Sequence, residues 1–91
     1  MTTGQSQAAN EAKLATISCD FNASGVRIHT EKSTESTTLE EGNPGDGVAL
    51  HSIEAGEFVN ASCGSTDVWD NITDNHTGVT GWVLDCFTTC E

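Results

Sequence analysis

Four cysteines, Cys19, Cys63, Cys86 and Cys90, are the residues of this chain best equipped for chemistry. They stand 44, 23 and 4 positions apart, so no C-x-x-C occurs, and no histidine adjoins the final pair. That spacing is a poor match to the paired ligands of a structural zinc site. Two disulfides in an oxidising compartment are the expectation, with no free thiol. Four cysteines allow three complete pairings, and spacing does not choose among them. Each bridge would stabilise a small domain by roughly 2–4 kcal/mol, mainly by restricting the unfolded chain.

The other candidates are aromatic and acidic. Trp69 and Trp82 are expected to contribute to a recognition surface, because an indole offers a large contact area with one polar handle. Glu40, Glu41, Asp46 and Asp70 are the acids that could line such a surface. His29, His51 and His76 fall on three separate stretches and read as surface or loop residues. Serine, histidine and aspartate are all present, but no G-x-S-x-G or comparable nucleophile motif is. Neither Asp67, Asp70 and Asp74 nor Glu40, Glu41 and Asp46 fits the twelve-residue calcium loop. The expectation is a noncatalytic protein without metal or cofactor. Four N-x-S/T sequons, at Asn22, Asn60, Asn71 and Asn75, would matter only on a eukaryotic secretory route.

Charge narrows the partners. Fourteen acids face three basic residues, for a net charge of −11, and no Lys/Arg cluster exists. Nucleic acid and anionic membranes would be repelled. A basic protein surface would be attracted; otherwise the charge keeps a secreted protein soluble and monomeric. No apolar stretch approaches transmembrane length and no signal peptide is visible, Met1-Thr2-Thr3-Gly4-Gln5 being polar. The chain is read as the mature part of a secreted protein with an added start methionine.

These residues must be held by a thin core. Ninety-one residues allow one domain, and its aromatics are Phe21, Phe58, Trp69, Trp82 and Phe87. Residues 1–13 are polar and aperiodic and are expected to form a flexible tail, with the domain over 14–91. Strands are expected at 14–19, 26–29, 48–53, 58–63, 68–72 and 79–84, with 87–90 extended along an edge. Residues 30–47 read as a long polar loop ending in the turn Asn43-Pro44-Gly45-Asp46-Gly47. Turns are expected at 54–57, 64–67 and 74–78. Five or six short strands without a helix must bury one face and hide their edges. Closure into a small β-barrel does both.

The order of motifs resembles the bacterial SH3 family, in the form found in secreted actinobacterial proteins. Gly25-Val26-Arg27-Ile28-His29 before a Ser/Thr-rich loop is similar to its N-V-R-S-G-P-S opening. Ala55-Gly56-Glu57-Phe58-Val59 is similar to its K-G-T-K-V hairpin, and Val68-Trp69-Asp70-Asn71-Ile72 to its W-Y-K-V or W-D-K-L strand. Thr80-Gly81-Trp82-Val83 is similar to T-G-W-V, followed by a short turn and a last strand. The likeness covers residues 14 to 90, and a cysteine at the place of Cys63 also occurs in such secreted members. It implies an SH3-like β-barrel in which the first and last strands are neighbours, hence Cys19–Cys90 and Cys63–Cys86. It also implies a ligand groove lined by Trp69. The functional expectation is a secreted binding module for another protein, as an inhibitor or effector, with the acidic 31–46 stretch beside Trp69. The alternatives are a peptidoglycan-binding module and a structural secreted domain without a dedicated ligand.

Overall fold

A computed structural model describes residues 16–91. The expected tail over 1–13, and the expected start of the first strand at Leu14, lie outside the described residues. The described residues form seven strands: β1 Ile17–Phe21, β2 Val26–His29, β3 Thr38–Gly42, β4 Val48–Ala61, β5 Gly64–Asp74, β6 Thr80–Leu84 and β7 Thr88–Cys90. A 3-10 turn, Asp85–Phe87, separates β6 from β7. All pairings are antiparallel, in the order β3-β2-β6-β5-β4-β1-β7.

The expected closure into a barrel does not occur. Strands β3 and β7 are the two edges of one sheet and do not pair with each other. The sheet bends over its own face, and side chains rather than a strand ladder complete the wrap. Phe21 of β1 lies so close to Gly42 of β3 that a Cβ there would come within 2.3 Å of two of its ring carbons. The Asp20 carboxylate accepts the Gly45 and Gly47 amides at 2.9 and 3.1 Å, tying the turn after β3 to β1. Phe21, Val26, Ile28, Val48, Leu50, Ile72 and Val83 fill the enclosed side.

The strands differ from expectation where polar sequence or glycine suggested a break. β3 forms inside the stretch read as loop, because Arg27 and Ile28 pair with Glu41 and Glu40. Residues 54–57 do not turn the chain: β4 runs through them, with a register irregularity between Ala55 and Val59. A β-bulge absorbs the extra residues there and re-aims the strand. The actual reversal starts two residues earlier than expected, at Ser62-Cys63, so that Gly64 already belongs to β5.

Both disulfides have the pairing implied by the resemblance. Cys19 and Cys90 are direct cross-strand partners in β1 and β7. Cys63, at the tip of the β4–β5 hairpin, is bonded to Cys86 in the 3-10 turn. Two such bonds belong to an oxidising environment.

Candidate binding site

Alternation along β2, β5 and β6 gives the sheet a second, outer face. Val26 and Ile28, Ile72, and Val83 point into the core. Their neighbours Arg27 and His29, Trp69 and Asn71, and Trp82 and Leu84 fall on the other side. Register brings them together: Trp69 pairs with Leu84, Asn71 with Trp82, and His29 with Trp82. The two tryptophans are therefore diagonal neighbours.

The β2–β3 connection folds over this face. Its Lys32 carbonyl accepts the Glu57 amide at 3.0 Å. The Glu57 carboxylate in return accepts the Thr34 amide and hydroxyl, both at 2.7 Å. Those donors hold the Glu57 carboxyl below its usual pKa. Gly56 makes the approach feasible, since a Cβ there would lie 2.5 Å from Lys32 Cβ and 2.7 Å from Trp69 Cδ1. Beneath the loop, the Trp69 indole N–H donates to the Glu57 carbonyl at 2.9 Å. His29 meets the Trp69 ring edge-on at 5.7 Å and donates from Nδ1 to the Ser36 carbonyl at 3.3 Å.

Beside the docked loop a cavity of about 360 Å³ remains. It is lined by the β1–β2 turn and β2, and by Val59, Ala61 and Ser62 towards the tip of the β4–β5 hairpin. Trp69, Leu84 and Phe87 supply its apolar lining. Arg27 and Glu41 stand at its rim, 4.0 Å apart and both well exposed. Such a site can take one apolar side chain and offers charges of both signs to the backbone or polar groups around it.

The candidate residues from the sequence divide between three places. Trp69 and Glu41 border the cavity, but Trp69 is 0% exposed. It backs the site from within and is no free-standing anchor. Trp82 is half-buried outside the lining, with the Lys32 ammonium 5.3 Å from its ring centroid. Glu40 and Asp46 gather instead around Asp74, away from the tryptophans: Thr77 donates to Glu40 at 2.7 Å, and Asp46 accepts the Asn43 amide at 3.0 Å. Asp70 is wholly buried on the core side of β5 and cannot serve as a surface ligand residue. It accepts the Thr88 hydroxyl at 2.9 Å. Burial, reinforced by the Asp85 carboxyl, pushes its pKa up to about 7 against the opposing effect of Thr88. Asp74 is likewise pushed up to about 6, by burial first and then by Glu40 and Asp46, with the His76 amide opposing.

Arg27, His29, Val59, Ala61 and Phe87 were not singled out by sequence. The alternation Val26-Arg27-Ile28-His29 already places Arg27 and His29 on one side, which is the signal that was available. His29 is buried, in contrast to the expected surface position, whereas His51 and His76 are exposed. The three do not meet, and among the described residues no group of three or more His, Cys, Asp or Glu side chains is disposed to hold a metal ion. Comparison with family models, with curated proteins and with solved structures finds no match for this chain.

Proposed function

We propose that this chain is a noncatalytic, secreted binding module that recognises a protein with a basic or mixed surface. The observation that carries the reading is the outer-face cavity, apolar inside and bordered by Arg27 and Glu41, on a chain of net charge −11. An apolar side chain of the partner enters and is desolvated against Leu84 and Phe87, while the surrounding acids accelerate encounter and impose salt dependence. The SH3-like reading and the actinobacterial resemblance belong to this proposal. Its support is the order of the motifs, together with the short turn and last strand after Thr80–Leu84.

The test uses the oxidised protein as bait for culture supernatant and, separately, for purified peptidoglycan, at low and high salt. Ala61→Arg places a long charged chain in the cavity wall at a half-exposed hairpin position and leaves the core untouched. Capture of a discrete protein that weakens with salt and is lost in Ala61→Arg is expected. Salt-insensitive retention on peptidoglycan, equal in both proteins, would reject the protein-binding reading in favour of the cell-wall one.

A further inference from the structure

Core positions on β5 are occupied by Asp70, Ile72 and Asp74, which alternate onto a single face of the strand. Both aspartates are 0% exposed. One oxygen of each, Asp70 Oδ1 and Asp74 Oδ2, has no hydrogen-bond donor. Leaving a charged carboxylate oxygen buried and unpaired costs far more than leaving a neutral carboxyl there. No cation compensates: the two described basic residues, Arg27 and Lys32, lie against Glu41 and Glu54. What faces the aspartates is more carboxyl. Asp85 of the 3-10 turn lies within hydrogen-bond reach of Asp70, and Glu40 of β3 and Asp46 of the following turn lie within reach of Asp74. The remaining oxygens accept from Thr88 Oγ1 and from the His76 amide, both at 2.9 Å.

We propose that the folded chain holds one proton between Asp70 and Asp85 and one between Asp74 and the Glu40–Asp46 pair, and that these two contacts tighten the packing of the sheet's edges against β5 in acid and loosen it as pH rises. A carboxyl proton supplies the donor that each orphaned oxygen lacks and removes the like-charge repulsion in the same step. The first contact joins β5 to the 3-10 turn and β7; the second joins the end of β5 to β3. Those are the two open edges of the sheet, each laddered on one side only, β3 to β2 and β7 to β1, with the Cys19–Cys90 bond as a further tie on β7. The protons leave to solvent when the contacts open.

The direction follows from linkage. Both carboxyls bind protons more tightly in the folded chain than at their ordinary 3.8. The resulting stabilisation is therefore complete below about 4, and it is lost as pH rises through about 6 for Asp74 and about 7 for Asp70. Thermal unfolding between pH 5 and 8 should show a midpoint falling by roughly 5–11 °C per pH unit for each proton retained. Hydrogen exchange should quicken first in β3 and β7. Asp70→Asn and Asp74→Asn install a permanent N–H donor, so the double variant should lose most of the slope; Asp85→Asn and Glu40→Gln, at half-exposed sites, should do so from the opposite side. His76→Gln, which keeps the backbone donor to Asp74, should leave the slope unchanged. A wild-type slope that survives in the Asn and Gln variants overturns the proposal. So do Asp70 and Asp74 carboxyl carbon signals of the unmodified protein that titrate below pH 5, a measurement independent of whether any variant folds. A rise in melting point on adding calcium chloride at pH 8, absent in Asp74→Asn, would replace the proton with a cation and equally overturn it.

Discussion

Trp69 illustrates how one side chain serves both layers of this molecule. Its position on the outer face of β5 would expose it, yet the docked 30–37 loop and the Glu57 carbonyl enclose it. Trp69→Ala should therefore act as a core truncation, destabilising by about 3–5 kcal/mol in denaturant unfolding. Trp69→Phe keeps most of the ring and removes the N–H, leaving the Glu57 carbonyl without its indole donor, at a cost of about 1–3 kcal/mol. If Trp69 were a surface anchor, both changes would leave unfolding unmoved. Gly56 is the complementary case. A methyl group there meets Lys32 Cβ, the Lys32 carbonyl and Trp69 within 3 Å, so Gly56→Ala must push the loop away or displace the indole. A loss of about 1–3 kcal/mol is expected, with a change in tryptophan fluorescence.

At the scale of elements, the decisive device is the irregular middle of β4. Between Ala55 and Val59 the ladder with β5 is interrupted, and the freed backbone receives the β2–β3 loop. Glu57 then works as a clasp. Replacing it with alanine should speed amide exchange at Thr34 while leaving β5 and β6 protected. Asp20 plays the same part at the other end, holding the 43–47 turn through the Gly45 and Gly47 amides. The positive φ of 98° at Gly45 and 79° at Gly47 suits glycine in that turn. The backbone amides, Gly45 foremost, lower the Asp20 pKa below its ordinary 3.8. Its stabilisation is thus present above about 4 and lost as pH falls below it. Asp20→Asn should lower the melting point at pH 6 and make little difference at pH 2, which a melting series at the two pH values will show.

The whole molecule combines these opposing titrations. Asp20 and Glu57 weaken the fold in strong acid, whereas Asp70 and Asp74 weaken it as pH rises through neutrality. Maximum stability in mild acid is the expected outcome, and self-repulsion among fourteen acids deepens the loss on the alkaline side. The disulfides act independently of pH over that range. Cys19–Cys90 spans a sequence separation of 71 and Cys63–Cys86 one of 23. Loop entropy assigns them about 4 and about 3 kcal/mol. A Cys63→Ala/Cys86→Ala variant should keep the seven-stranded sheet but free the hairpin tip and open the cavity wall. Loss of Cys19–Cys90 should unfasten β7 and cost more, as read from unfolding midpoints of the two double variants.

Local pattern was enough, by itself, to identify an all-β chain, the 26–29 strand, the 43–47 and 74–78 turns and a two-disulfide framework. Alternation and turn residues report on neighbours in sequence, and in these stretches neighbours in sequence decide the structure. The motif resemblance, rather than spacing, led to the observed disulfide pairing. β3 was invisible because Thr38-Leu39-Glu40-Glu41-Gly42 lacks an apolar alternation; it becomes a strand because β2 offers it a ladder. The glycine at 56 reads as a turn residue, and only the close approach of Lys32 and Trp69 shows that its missing Cβ is needed inside a bulged strand. Trp69 was legible as an important residue but not as a buried one, since its cover comes from a loop more than thirty positions away. The acids Asp70 and Asp74 read as polar decoration of a strand. Tertiary packing alone decided that both enter the core opposite other carboxyl groups, because the partners arrive from β3, the 43–47 turn and the 3-10 turn. The open edges have the same origin: the pairing of β1 with both β4 and β7 leaves β3 and β7 unpaired with each other, a consequence of how the strands are laid out in space and not of any residue within them.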